Sequence, residues 1–219
     1  MENNQKKSDK LNSFSFGLGL LDYGNPVCFA INMILIGTNL KPQMNTVQGI
    51  CYLVGVIFAM GFGLAIPTIK CLVGLGKIQF KLPLACVFFV NGGIFVIGAT
   101  LLSVVKALSF KVELVLLLVL IAILVAIYVK TKKPNNSALF LGSFGYAMIY
   151  SALIVLTISA GHVVPIFCFA IALAENITLV TLAITKNLMN PKLHWVIESC
   201  HIASQLVLML GILITFNII

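Results

Sequence analysis

GHVVPIFCFAIALAENITLVTLAITKNLMNPKLHWVIESCHIASQLVLMLGILITF, residues 161–216, is the stretch on which the fold turns. It contains two apolar runs, 163–185 and 195–216, joined by a short polar turn. At about 1.5 Å per residue each run can cross the roughly 30 Å hydrocarbon core of a bilayer as a helix. The first run carries Glu175-Asn176 near its middle. The second carries Glu198, His201 and Gln205 at i, i+3 and i+7, which is one helical face. Ionisable groups at membrane depth are costly and are rarely kept without a use. The hairpin therefore fixes both the solvent, which is lipid, and the place to look for chemistry.

The rest of the chain agrees. Hydrophobic residues make up 60% of its 219 positions and charged residues 9%, and mean hydropathy is +1.11. Soluble domains carry about 25% charged residues, so a soluble helical domain would lack its charged surface here. The 14 basic residues are all lysine, set against 6 acids. They fall in loops between apolar runs, so they read as topology signals and not as a nucleic-acid surface. The lack of arginine also argues against bidentate phosphate recognition. The six cysteines form no Cys-x-x-Cys pair and read as small buried hydrophobes.

In order, 1–13 is a polar tail expected to be disordered, and 14–219 a single membrane domain. Spans are expected at about 14–40, 44–70, 82–105, 112–129, 137–159, 163–185 and 195–216. The first is interrupted by Asp22-Tyr23-Gly24-Asn25-Pro26. The favoured reading lays 14–21 in the interface and lets Pro26 open a short span. The other breaks one span near Gly24 and brings Asp22 to a site. The fourth run is apolar all round after Glu113 and is expected to face lipid. Seven spans place eleven lysines on one side and three on the other. By the positive-inside rule the N-terminus is cytoplasmic and the C-terminus outside. The fold expected is an all-α, seven-transmembrane-helix bundle in the cell membrane.

With these directions, Glu175 and Gln205 come to matching depth, and Glu175 can face Gln205 across the hairpin. Asn176 adds a hydrogen-bonding group beside them. His201 and Glu198 continue toward the cytoplasmic edge as a relay or rim, and Asp22 joins if the first span is broken. No cofactor or metal is implied. A single Glu198-x-x-His201 falls short of the paired motifs and extra carboxylates of a di-iron bundle. His162 and His201 lie at different depths and cannot share a haem. No phosphate loop, dinucleotide fingerprint or nucleophile elbow is present.

The rhythm of the chain's end resembles the C-terminal part of bacterial lysoplasmalogenase-type membrane hydrolases. Glu175-Asn176, Lys186 and Ala203-Ser204-Gln205 stand where that family has an acidic position, a Lys-containing turn and an Ala-Gln in its last helix. The family's Gly-Asp in an earlier span has no counterpart, and Cys200-His201 replaces its aromatic pair. The resemblance implies lipid hydrolysis. The residues themselves place transport of a small solute or ion, proton-coupled through Glu175, ahead of a lipid-modifying enzyme. An accessory subunit, whose polar residues only fix helix packing against a membrane partner or a second copy, comes third. The partners expected are membrane lipids and the solute.

Overall fold

The computed structural model describes residues 15–79, 83–106, 119, 123, 126, 128–130, 134–185 and 191–219. Among them the protein is all α. Helices α1 (Phe16–Asp22) and α2 (Gly24–Leu40), with a 3-10 turn at Lys41–Gln43, are followed by α3 (Thr46–Gly74) and α4 (Leu84–Val104). Then come α5 (Pro134–Ser159), α6 (Val164–Thr185) and α7 (Pro191–Thr215). Among the described residues six stretches are long and apolar enough to cross a membrane, the first of them Phe16–Gln43. Of the span expected at 112–129, Val119, Ile123, Ala126, Tyr128 and Val129 are helical, and all five are exposed. The rest of it, like the tail 1–13, lies outside the described residues.

Local chemistry sets the helix ends. Asn45 and Gln48 form a reciprocal capping box at the start of α3, each side chain accepting the other's backbone N–H at 2.9 Å. Ser15 Oγ accepts the N–H of Leu18 at 3.1 Å and caps α1. Gly161, at φ +78°, allows the tight turn from α5 into α6.

The first span departs from the favoured sequence reading. No interfacial helix precedes a separate span. Tyr23 keeps right-handed helical dihedrals, φ −65° and ψ −25°, so α2 continues α1 across a one-residue break. Pro26 removes the N–H that would have bonded the Asp22 carbonyl, but its ring-fixed φ suits the helix. The cost is one local hydrogen bond, and the chain carries on.

The spans close into a ring. α3 runs back along α1 and α2, α4 along α3, α5 beside α4, α6 along α5, and α7 packs on both α6 and α2. Small residues let the backbones approach. A Cβ added to Gly93 would lie 2.6 Å from the Ala59 nitrogen, and one on Gly145 would lie 2.6 Å from the Phe95 nitrogen. Gly142 faces Asn91, Gly145 faces Phe95, and Gly98 faces Met148, so numbering rises together along α4 and α5. These two helices are parallel. Gly17 lies against Trp195 and Gly24 against Ile202, so α7 is parallel to the first span. Residue 15 and residue 219 therefore lie at opposite ends of the bundle, here called the near and far ends.

The two halves of the ring differ. The far half is a dry core of Met33, Ile36, Ile97, Leu101, Ile149, Leu153, Phe169, Leu208 and Ile212. Polar ties reinforce it. Tyr52 donates to the Met33 carbonyl at 2.6 Å, Gln48 Nε2 to Ser103 Oγ at 3.0 Å, and the hydroxyls of Thr157 and Thr215 meet at 2.9 Å. Outward faces are apolar, with Ile50, Leu53 and Ile57 on α3 and Phe167 and Ile171 on α6 exposed at helical spacing. A ring with an oily exterior is the form expected of a protein whose solvent is lipid.

Candidate functional site

The near half holds a buried quartet of ionisable side chains contributed by three helices. Lys70 of α3 sits at its centre. Its Nζ lies 2.6 Å from Asp22 Oδ2 of α1, 3.2 Å from Glu198 Oε1 of α7 and 2.6 Å from His194 Nε2 of α7. His194 Nε2 is also 3.1 Å from Glu198 Oε1, one turn along the same helix. The Asp22 and Glu198 carboxyls thus share one ammonium. All four residues are buried, with Lys70 4% and Asp22 6% exposed. Charges this far from water persist only when paired and hydrogen-bonded.

Helix ends explain why the quartet forms. α3 runs on to Gly74, so Lys70 lies inside it, one turn before the end, where a sequence reading ends the span and gives Lys70 to the loop. α7 begins at Pro191, so His194 is inside the helix and not in the turn. Pro67, within α3, leaves the Gly63 carbonyl without its helical partner, as Pro26 does for Asp22. Both prolines line a small void of about 100 Å³ that also reaches Asp22 and Asn25. Glu198 is thus no exposed rim residue: Lys70 and His194 hold it in the interior.

The expected pairing of Glu175 with Gln205 is replaced by two others. Glu175 Oε1 meets His201 Nδ1 at 2.8 Å. Gln205 turns instead toward α2, where Asn32 Nδ2 donates to its side-chain oxygen at 2.9 Å and its backbone oxygen at 3.0 Å. The two positions match in depth but not in rotation. Gln205 faces across the ring, whereas Glu175 faces along the α6–α7 seam. Asn32 had no signal in the sequence beyond being an amide in an apolar run.

A cavity of about 330 Å³ opens beside the quartet, and every described span contributes to its wall. Asn25, Lys70, Asn91, Ser143, Asn176 and His201 come from the six spans in turn. Asp22 and Glu198 line it as well. Asn25 Oδ1, Ser143 Oγ and Asn176 Oδ1 are buried in this wall with no hydrogen-bond partner among the described residues. Asn176 is only 4% exposed, and a buried amide oxygen left unpaired costs free energy of about 1–3 kcal/mol. Of the residues expected at the site, Asn176, His201, Glu198 and Asp22 line the cavity. Glu175 touches it through His201, and Gln205 lies beyond it in the dry half.

A second cavity, of about 700 Å³, lies at the far end beside Gln43, Lys106, Ser159 and Thr215. The apolar core separates the two. Among the described residues no group of three His, Cys, Asp or Glu side chains is disposed to hold a metal ion. The Lys70 ammonium occupies the centre of the acidic groups.

No protein-family model, curated protein or solved structure matches this chain.

Proposed function

We propose that the protein is a multi-pass transporter that takes a small polar solute or ion into the near-half cavity and couples its movement to a proton held by the Asp22–Lys70–Glu198–His194 quartet. The observation that carries this reading is the asymmetry of the ring. A cavity walled by all six described spans, each contributing a polar side chain, lies in the near half, and an apolar core packs the far half behind it. One accessible site with a barrier on one side is the arrangement alternating access requires. The two halves of a ring of packed helices can exchange these roles by small rotations of a few helices. His201, backed by Glu175, is the next group along the cavity wall able to exchange a proton with the quartet.

Seven spans, with the N-terminus cytoplasmic and the C-terminus outside, complete the reading. The parallel course of α4 and α5 supports an odd number of crossings between Val104 and Pro134. The termini at opposite ends support an odd total. Lys77 follows α3 at the near end, in keeping with a cytoplasmic face there. The membrane proposed is the cell membrane. Reporter fusions at the two termini test the topology, and a signal from both on the same side overturns it.

A second reading has a specific observation in its favour. Two buried carboxyls on one ammonium can hold one proton between them, which suits general acid–base catalysis on a lipid entering the cavity. One preparation separates the two. The purified protein is reconstituted with a pH-sensitive dye inside the vesicles and challenged with small amines, amino acids, sugars and alcohols. Transport predicts solute-driven proton flux that Lys70→Met and Glu175→Gln abolish or reduce. Flux unchanged by both substitutions sinks it. Release of free fatty acid or headgroup from the vesicle lipids in place of flux supports the enzyme.

A further inference from the structure

The cavity wall is rich in acceptors. Asp22 and Glu198 present carboxylates. Asn91 donates one of its two amide N–H groups to its own helix, Nδ2 to the Val87 carbonyl at 2.7 Å, and its side-chain oxygen lies against Gly142. The Asn25 and Asn176 oxygens and the Ser143 hydroxyl are buried without partners among the described residues. The donor at the centre, Lys70, is already committed to Asp22 and Glu198. Much of the remaining wall is aliphatic, with Ile66, Val90, Leu139 and Ile197 facing the same space, and Tyr146 and His201 border it as well. An ammonium has three donors and no acceptor, and it complements carboxylates, amide oxygens and a hydroxyl together. About 330 Å³ is at the small end of ligand pockets, which leaves room for a compact hydrocarbon body on that ammonium.

We propose that the cavity is a binding site for a small primary amine with a compact apolar body, and that the Lys70 ammonium is its built-in stand-in on Asp22 and Glu198. When the amine arrives it shares or takes over these carboxylates, its remaining N–H groups reach Asn176 and Ser143, and its hydrocarbon lies on the aliphatic wall. The Lys70 side chain is then released from Asp22. The incoming ammonium keeps both carboxylates paired, which avoids the large cost of an unpaired buried carboxylate. This inference rests on the cavity being a solute site, but not on the solute crossing the membrane.

The test uses the full-length purified protein in detergent at neutral pH. Cyclohexylmethylamine, protonated there as lysine is, and cyclohexylmethanol have nearly the same shape. Calorimetry is expected to give saturable binding of the amine, with the alcohol about tenfold or more weaker because it lacks the charge-assisted contacts. Asp22→Asn is expected to weaken the amine about tenfold and leave the alcohol unchanged. Lys70→Ala supplies a readout that survives poor folding. The amine should raise its melting temperature more than it raises that of the wild type, and more than the alcohol does. Equal binding of amine and alcohol, or no binding of the amine, overturns the proposal. So does an Asp22→Asn variant that binds the amine normally while Lys70→Ala shows no rescue. Amine binding without amine-driven proton flux would count against transport alone and leave this site standing.

Discussion

Lys70→Met gives the sharpest test of the quartet. The substitution keeps an unbranched apolar stem of similar length and deletes the ammonium. It leaves Asp22 and Glu198 without the cation they share, with His194 as the basic group left in the quartet. The side chains of Lys70 and Asp22 are 6% and 8% exposed, and those of Lys70 and Glu198 are 6% and 9% exposed, so solvent screens little of the loss. Removing one partner of a buried ion pair costs about 3–5 kcal/mol. At about 2–4 °C per kcal/mol for a chain of this size, that is a drop of roughly 6–20 °C in Tm. The double variant Asp22→Asn/Lys70→Met removes one charge of each sign and leaves Glu198 with His194 at 3.1 Å. It should therefore be more stable than Lys70→Met, with a coupling energy of about 1–3 kcal/mol. The assay is reversible unfolding in mixed micelles followed by the fluorescence of Trp195, the chain's one tryptophan. If Lys70→Met unfolds like the wild type, or if the two substitutions simply add, the quartet is not the electrostatic unit described here.

Three other outcomes follow from the packing. Asn32→Leu strands the Gln205 side-chain oxygen in the dry half and should cost about 1–3 kcal/mol, most of it recovered in Asn32→Leu/Gln205→Leu; a double variant no better than the single refutes the pairing. Gly145→Ala pushes a methyl against the Phe95 backbone and should cost about 1–3 kcal/mol, whereas Gly61→Ala, with no atom within 4 Å, should be neutral or slightly stabilising in the same melts. Phe169, fully buried behind the cavity, is part of the barrier, so Phe169→Ala should lose about 3–5 kcal/mol and raise the passive proton leak of reconstituted vesicles. A tight vesicle with that variant would show that the barrier lies elsewhere.

Much of the architecture was legible as hydropathy. The apolar runs near 44–70, 82–105, 137–159, 163–185 and 195–216 each appear as a helix of the ring, because length and composition suffice to mark a span. What hydropathy lacks is rotation. Glu175 and Gln205 sit at matching depth, yet His201 takes one and Asn32 the other, since partner choice depends on which way each helix face turns. The quartet was missed for a narrower reason. A lysine at the end of an apolar run ordinarily snorkels to the interface and reports topology, so Lys70 reads as a loop residue until α3 is seen to continue to Gly74. The same few residues at the start of α7 hide His194. Asp22 enters a site only in the reading that breaks the first span near Gly24; the favoured reading starts a new span at Pro26, whereas the helix runs through that proline with the loss of a single hydrogen bond.

The origins of the quartet in the chain bear on how the protein is made. Asp22 and Lys70 belong to the first helical hairpin, whereas Glu198 emerges 128 residues after Lys70. During synthesis the leading hairpin can enter the bilayer as an ion pair of zero net charge, long before α7 exists. Glu198 and His194 enter last, on one helix and one turn apart, where they meet a lysine already in place. Assembly in this order can bring each carboxylate of the quartet in beside a basic group. A ribosome-arrested Lys70→Met chain ending after α3, which carries Asp22 without its cation, should integrate less efficiently than the wild-type hairpin.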